Sequence, residues 1–331
     1  MIDARLQVAL AAGLDLPQEG PISVTQPPPV ARLPGLPQDR THVIHDFEPF
    51  YSAWAARGYA TATALESPSA ACIVCLPRAK AEARVLIAQA CARTEGVVVV
   101  DGQKTDGVDS ILKEVRARCS VSGPIAKAHG KLFWFDAPGA DTFADWAAGP
   151  ALTPGGFWTA PGVFSANAID PGSALLADAL PDRLGRHVVD LGAGWGFLSA
   201  HVLTRDDIET VHLVEAGHMA LECAKRNVTD PRAAFHWADA TTWQSAGHVD
   251  AVVMNPPFHT GRAADPQIGR AFIAAAARML SSQGQLWMVA NRHLPYEEHL
   301  DAGFAHLEEV GSDARFKLFH AARPKRQRRT Q

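Results

Sequence analysis

The chain lacks any run of roughly 18 or more apolar residues, so no segment reads as a membrane-spanning helix. Its start, Met1-Ile-Asp-Ala-Arg-Leu6, carries an acid near the front and no apolar stretch, and a secretory signal is not expected. A disulfide framework is missing too. The five cysteines, at 72, 75, 91, 119 and 223, are odd in number and scattered. Cys72-Ile-Val-Cys75 has the spacing of a redox motif, but it sits in an apolar strand-like run without a second pair or a histidine cluster, so it reads as buried thiols rather than a metal site. Net positive charge is absent as well. With 31 basic and 35 acidic side chains the formal charge is −4, and a nucleic-acid partner would have to be held by local basic patches. These absences point to a cytoplasmic globular protein with no bound metal.

A length of 331 residues suits two domains better than one. Pro138 to Gly162 concentrates Pro, Gly and small residues, including Thr153-Pro-Gly-Gly156, and sets an expected boundary near residue 150, dividing 1–150 from 151–331. Residues 1 to about 40 are rich in Pro and polar side chains, as in Gln26-Pro-Pro-Pro29 and Leu33-Pro-Gly-Leu-Pro37, and are expected to be irregular. Beyond them, strands are expected at His42–Asp46, Ala71–Leu76, Gly96–Asp101 and Lys131–Phe135, with helices at Tyr51–Arg57, Arg78–Ala92 and 108–118. The alternation implies parallel strands joined by right-handed crossovers. No glycine-rich turn follows any of these strands, so this half offers no close-approach backbone to a nucleotide.

The second half differs. His187-Val-Val-Asp-Leu-Gly-Ala-Gly-Trp-Gly196 is an apolar strand entering a turn with Gly192, Gly194 and Gly196, then a helical stretch from Phe197. Such a turn lets a ligand touch the backbone. Val211–Val214 is a second strand closed by Glu215, about 20 residues on, where an acid accepts hydrogen bonds from ribose hydroxyls. The pattern argues for an adenosine-bearing cofactor. NAD is one candidate, but its fingerprint is Gly-x-Gly-x-x-Gly, whereas this turn is Gly-x-Gly-x-Gly. Ala233–Trp237 then delivers Asp239, a candidate acceptor for the adenine amino group. Upstream, Ser173 or Asp170 is placed to cap a helix over 174–180.

Asp250-Ala-Val-Val-Met-Asn-Pro-Pro-Phe-His259 is a fourth strand ending in a fixed polar cluster. Pro256 and Pro257 hold the backbone and remove two donors. The Asn255 side-chain oxygen and the Pro256 carbonyl are left as acceptors beside the Phe258 ring, a site for a planar group bearing an NH2. Asn-Pro-Pro is also an ordinary turn after a core strand.

These motifs resemble the class I S-adenosylmethionine-dependent methyltransferases and, more narrowly, the bacterial RsmC family, which methylates guanine N2 in 16S ribosomal RNA. Gly162-Val-Phe-Ser-Ala-Asn-Ala-Ile-Asp-Pro-Gly-Ser173, Val289-Ala-Asn-Arg-His-Leu-Pro-Tyr296 and Arg315-Phe-Lys-Leu-Phe319 are also similar to that family's pattern. Where the family often has Arg-Asp-Gly-Leu-Asp, this chain has Ala166-Asn-Ala-Ile-Asp170. The resemblance implies an α/β fold of two tandem Rossmann-like methyltransferase domains, the N-terminal one degenerate, without a cofactor loop, and structural or RNA-binding in role. It implies cofactor contacts from Asp170, Ser173, Asp190, Gly192, Gly194, Gly196, Glu215, Ala216, Asp239, Ala240 and Asn255. Asn255, Pro256 and Phe258 are implied as catalytic, and Phe164, Phe258 and His259 as substrate contacts. The implied partner is 16S rRNA, within the 30S subunit or an assembly intermediate, bound by a monomer. A glutamine-N5 protein methyltransferase and a non-catalytic RNA-binding assembly factor are the competing readings. The C-terminal Arg323-Pro-Lys-Arg-Gln-Arg-Arg329 is either a solvated tail or an RNA contact. Asn255→Asp, which keeps an acceptor, is expected to retain more activity than Asn255→Ala.

Overall fold

The computed structural model describes residues 2–257 and 266–325. The chain divides into two compact units, residues 1–150 with 160–162 and residues 151–159 with 163–331.

The first unit contains α1 (Ile2–Ala11), β1 (Ile22–Thr25), β2 (Thr41–Ile44), α2 (Glu48–Ala56), β3 (Ala60–Ala62), β4 (Ser69–Cys75), α3 (Lys80–Arg93), β5 (Thr94–Gln103), α4 (Val108–Arg116), β6 (Ser122–Lys127) and β7 (Gly130–Asp136). Its sheet runs β3-β2-β1-β4-β5-β7-β6. Two expectations are corrected here. Residues 1–40 are not irregular throughout: β1 is the middle strand of the parallel set, paired to β2 on one side and β4 on the other, and α1 packs Ile2, Leu6 and Ala9 into the core, while the Pro-rich stretch 26–37 is irregular as expected. Lys131–Phe135 does lie in a strand, but that strand, β7, runs antiparallel to β5 and to β6. α4 carries the chain from β5 past the neighbouring position to β6, and the β6–β7 hairpin returns β7 antiparallel into the place beside β5.

The second unit opens with a short hairpin of β8 (Ala151–Leu152) and β9 (Trp158–Thr159). It continues through α5 (Pro171–Ala179), β10 (His187–Leu191), α6 (Phe197–Val202), β11 (Thr210–Glu215), α7 (His218–Asn227), β12 (Ala233–Trp237), β13 (Ala251–Met254), α8 (Pro266–Met279), β14 (Gln285–Asn291), α9 (Glu297–Gly303), β15 (Phe304–Ser312) and β16 (Phe316–Pro324). Its sheet order, β12-β11-β10-β13-β14-β16-β15, is the first unit's order repeated strand for strand. In the second sheet the middle strands are apolar on both sides because helices cover both faces. Val189, Val252 and Met288 point into one core and Val188, Val253 and Val289 into the other.

The repeat makes the two units comparable position by position. β1 occupies the place of β10, yet it runs into Gln26-Pro-Pro-Pro29 where β10 runs into Gly192-Ala-Gly-Trp-Gly196. β4 occupies the place of β13 and ends in Leu76-Pro77, not Asn255-Pro256. The topology is present twice; the glycine turn and the Asn-Pro strand end appear only in the second unit.

Candidate active site

In parallel sheets with this kind of strand order, ligands bind beyond the carboxyl ends of the middle strands. In the second unit those ends belong to β10, β11, β12 and β13, and they carry Gly192, Glu215, Asp239 and Asn255. The turn after β10 leaves the sheet when Gly192 and Ala193 donate backbone hydrogen bonds to the Val214 carbonyl, at 2.9 and 3.1 Å. Gly194 then adopts φ +56°, and a Cβ there would face open space; Gly196, at φ +88°, would drive a Cβ to 3.0 Å from Val228. One glycine keeps the backbone bare toward the crevice, and the other lets α6 close on α7.

Glu215 ties this turn to the second strand. Its Oε2 accepts from the Gly194 amide at 2.8 Å and its Oε1 from the Gly217 amide at 2.7 Å, so both carboxylate oxygens are oriented by backbone donors. Asp190 lies beneath the turn, with no solvent exposure. Its Oδ2 accepts from Ser199 Oγ at 2.7 Å, and its Oδ1 is buried without a partner among the described residues. Burial pushes the Asp190 carboxyl up to about 7, with the Glu215 charge adding to the effect. Asp239 accepts at Oδ1 from the Thr241 backbone amide and hydroxyl, at 2.8 and 2.7 Å. The Ala216 carbonyl accepts from the Trp237 indole at 2.8 Å, and Ala240 is packed into the core.

Asn255 meets the helix cap prepared upstream. Asp170 is the N-cap of α5, its side chain accepting from the Ser173 amide at 2.8 Å. The Asn255 Nδ2 group donates both to Asp170 Oδ2 and to Ser173 Oγ, each at 2.9 Å. With both amide hydrogens occupied, the side-chain oxygen is turned away from the cap. Two small adjoining cavities flank this residue. One is lined by Asp170, Ser173, the Gly192–Trp195 turn and Leu198, the other by Pro256, Asn291, Leu294, Tyr296 and Phe316; Phe164, Asp170 and Asn255 line both. Phe164 is 55% exposed and follows a turn whose next residue, Ser165, is left-handed at φ 53°. Phe258 and His259 lie outside the described residues, as do residues 326–329 of the basic tail.

Several contributors were not singled out from sequence. Trp195 Nε1 donates to the Phe164 carbonyl at 3.0 Å, fastening the Phe164 loop to the glycine turn. Asn227 accepts from the Trp158 amide at 2.6 Å and donates to the Trp158 and Trp195 carbonyls, both at 2.8 Å. Asn291, Tyr296 and Phe316 line the second cavity although the two stretches containing them were noted only as family patterns. A lone Asn on a helix end or a Trp inside a glycine turn gives no signal of such long-range bonds.

The model of the methyltransferase small domain matches residues 155–320. The chain belongs to that family. It also groups with the ribosomal RNA small subunit methyltransferase C proteins: the one from Shewanella oneidensis is 32% identical over 259 residues, 75% of each chain. The ribosomal RNA large subunit methyltransferase G of Aeromonas hydrophila is 35% identical over 165 residues, covering 48% of this chain and 43% of that one. The chain thus spans three quarters of the length of some relatives and half or less of others. The structure of a T. thermophilus 16S rRNA N2 G1207 methyltransferase (RsmC), solved in complex with AdoMet and guanosine, superposes over 97% of this methyltransferase and 91% of that chain, with a TM-score of 0.76 and 22% identity. That likeness establishes the two-unit fold across nearly the whole chain.

Proposed function

We propose that this methyltransferase moves the methyl group of S-adenosylmethionine onto N2 of a guanine in small-subunit ribosomal RNA. The observation that carries the reading is Asn255, an amide held through both hydrogens by Asp170 and Ser173 where two cavities meet. The strand ends around the first cavity fit an adenosine cofactor with a charged tail: the cavity itself is lined by the bare backbone at Gly194, and carboxylates stand at the neighbouring strand ends, Glu215 bonded to the Gly194 amide and Asp239 beyond β12. Asp170, Ser173, Ala216, Ala240 and Asn255 complete the proposed cofactor contacts, and Asp190 supports the turn from below. When bound, the cofactor supplies a methyl group already electrophilic on its sulfonium. The protein then has mainly to align a nitrogen with it.

On the second side, the Asn255 oxygen and the Pro256 carbonyl accept the two N–H bonds of the exocyclic amine. This frees a lone pair that is otherwise delocalised into the base, and the proton leaves to water afterwards, so no strong base is required. Phe164 and Phe258 stack on the base and His259 borders it; a paired base must first be unstacked to enter. The first unit, with prolines where the glycine turn would stand, acts as a structural or RNA-holding copy. We place the protein in the cytoplasm, as a monomer acting on 16S rRNA in the 30S subunit or a precursor. A guanine of large-subunit RNA is the second reading, supported by the Aeromonas hydrophila match over 165 residues.

The test is to incubate the protein with methyl-labelled cofactor and, separately, 16S rRNA, 30S particles, 23S rRNA or release factors, then digest and identify the labelled unit. N2-methylguanosine from 16S rRNA or 30S particles is expected. Label in 23S rRNA establishes the second reading, label in glutamine a protein methyltransferase, and cofactor binding without transfer a non-catalytic factor.

A further inference from the structure

The second unit carries a cavity of about 600 Å³ that shares no lining residue with the two cavities at Asn255. It lies between α8, α9 and the end of β16. Its charged lining has one sign: Arg270, Arg278 and Lys325, joined by His299, with no carboxylate among the lining residues. None of the three cations forms an ion pair among the described residues. Among the described residues the Arg278 and Lys325 side chains donate to backbone carbonyls, of Thr241 and Asp301, and meet no carboxylate there. Arg270 Nε and His299 Nδ1 are buried nitrogens with no partner among the described residues. Buried polar nitrogens are rarely left unpaired, and here the described chain brings them no partner.

The shape favours a chain over a compact ion. Arg270, Ala274, Ala277 and Arg278 fall on one face of α8, with Arg270 and Arg278 about 12 Å apart along the axis. The alanine methyls between them leave room for a strand to lie against the helix. We propose that this cavity binds the phosphodiester backbone of the RNA substrate, holding it at a distance from the target base. The proposal rests on the reading of RNA as substrate. Contacts of this kind position a nucleic acid without reading its sequence, and they leave a measurable mark in salt dependence.

The full-length Arg270→Gln/Lys325→Gln protein tests it; Arg278 is kept because its bond to Thr241 adjoins Asp239. Affinity for 16S rRNA is measured against potassium chloride concentration, beside the melting temperature and the affinity for S-adenosylmethionine. The plot of log affinity against log salt is expected to be shallower than the parent's by about 1 to 2 units, as for one or two lost phosphate contacts. KM for RNA should rise about tenfold at moderate salt, with kcat at saturating RNA and cofactor affinity as in the parent. Arg270→Lys/Lys325→Arg, which keeps the charges, should restore the slope and shows that the loss is not one of folding. Equal slopes and equal KM in parent and Gln variant overturn the proposal. So does inorganic phosphate at millimolar concentration protecting the parent but not the Gln variant from heat while the RNA slope is unchanged, which marks a small-anion site. If the parent methylates RNA and the slope is unchanged, the cavity proposal falls and the proposed function stands. If the parent methylates no RNA and the slope still changes, the function falls and the cavity stands.

Discussion

Asp170 Oδ2 accepts a hydrogen bond from the Asn255 side-chain amide at 2.9 Å, joining the cap of α5 to the end of β13 across 85 residues of sequence. The same carboxylate oxygen also accepts from the Ser173 amide. A helix cap thereby becomes the clamp that fixes which way the proposed catalytic amide faces.

That clamp changes what substitution at 255 should do. Asn255→Ala removes the acceptor, and methyl transfer should fall by about 10²-fold or more, the scale for losing one preorganised group and a much larger loss than that of cofactor affinity. Sequence alone favours Asn255→Asp as the milder change. With Asp170 hydrogen-bonded to the amide, it instead sets two carboxylates in contact, and one must hold a proton. Asn255→Asp should be no better than Asn255→Ala at pH 8 and should regain activity as the pH falls toward 6. Single-turnover rates across that range check it; a pH-independent Asp variant with near-parental rate would mean that the clamp does not set the amide.

Glu215→Ala removes a carboxylate that holds two turn amides and is proposed to hold the ribose. Affinity for S-adenosylmethionine should weaken by roughly 1.5–3 kcal/mol, the range for hydrogen bonds to a charged group, measured by calorimetry on the full chain. Unchanged affinity would remove Glu215 from the cofactor site.

Gly194 and Gly196 should fail in different ways. Both have positive φ, which costs an alanine of the order of 1–2 kcal/mol, but only Gly196 has a neighbour in the way, Val228 at 3.0 Å. Gly196→Ala is expected to lower the melting temperature more, whereas Gly194→Ala, its methyl directed into the crevice, is expected to weaken cofactor binding more. Melting curves and cofactor titrations on both variants separate the two effects, and equal losses in both measurements would contradict the division of labour.

The second unit was legible because its signals are local. Val188-Val-Asp-Leu-Gly and Ala251-Val-Val-Met-Asn-Pro-Pro each place an apolar run directly against a turn whose residues have few alternative uses. The first unit's central strand was not legible. β1 is only Ile22-Ser-Val-Thr25, and half of it is polar; Ser23 is buried because its hydroxyl meets that of Ser69 at 2.6 Å, a partner far away in sequence. α1 was hidden for a related reason. Arg5 looks like a surface residue of a short helix, yet it is 1% exposed, forked onto Asp101 of β5 and donating to the Lys127 carbonyl at 3.0 Å. The links from Asn227 to two tryptophan carbonyls, and from Trp195 to the Phe164 loop, likewise belong to tertiary packing and leave no periodic trace.

The Arg5–Asp101 pair gives a stability test of the first unit. Arg5→Ala or Asp101→Ala alone strands a buried charge and should cost about 3–5 kcal/mol, while Arg5→Met/Asp101→Leu should cost much less, since the loss comes mainly from the unpaired partner. Urea unfolding of the three variants decides it; a double variant as unstable as either single one would show that geometry, not charge pairing, is what α1 requires.

Asp190 supplies a pH signature. Burial raises its carboxyl from the ordinary carboxylate range to about 7, so the folded protein holds this proton more tightly than the unfolded chain does. Folding therefore takes up a proton between about pH 4 and pH 7, and this group's contribution to stability is full below that window and lost as the pH rises through it. Asp190→Asn is neutral throughout and still has an oxygen for Ser199. Its buried NH2 adds an offset of either sign, so the slope is the informative quantity. Relative to the parent, the Asn variant should gain melting temperature steadily from pH 5 to pH 7.5, with the gain flattening above that. Paired melting curves without cofactor measure this directly. A difference constant across the range would mean that Asp190 is already charged in the folded protein at pH 5, its buried oxygen paired by a donor from outside the described residues.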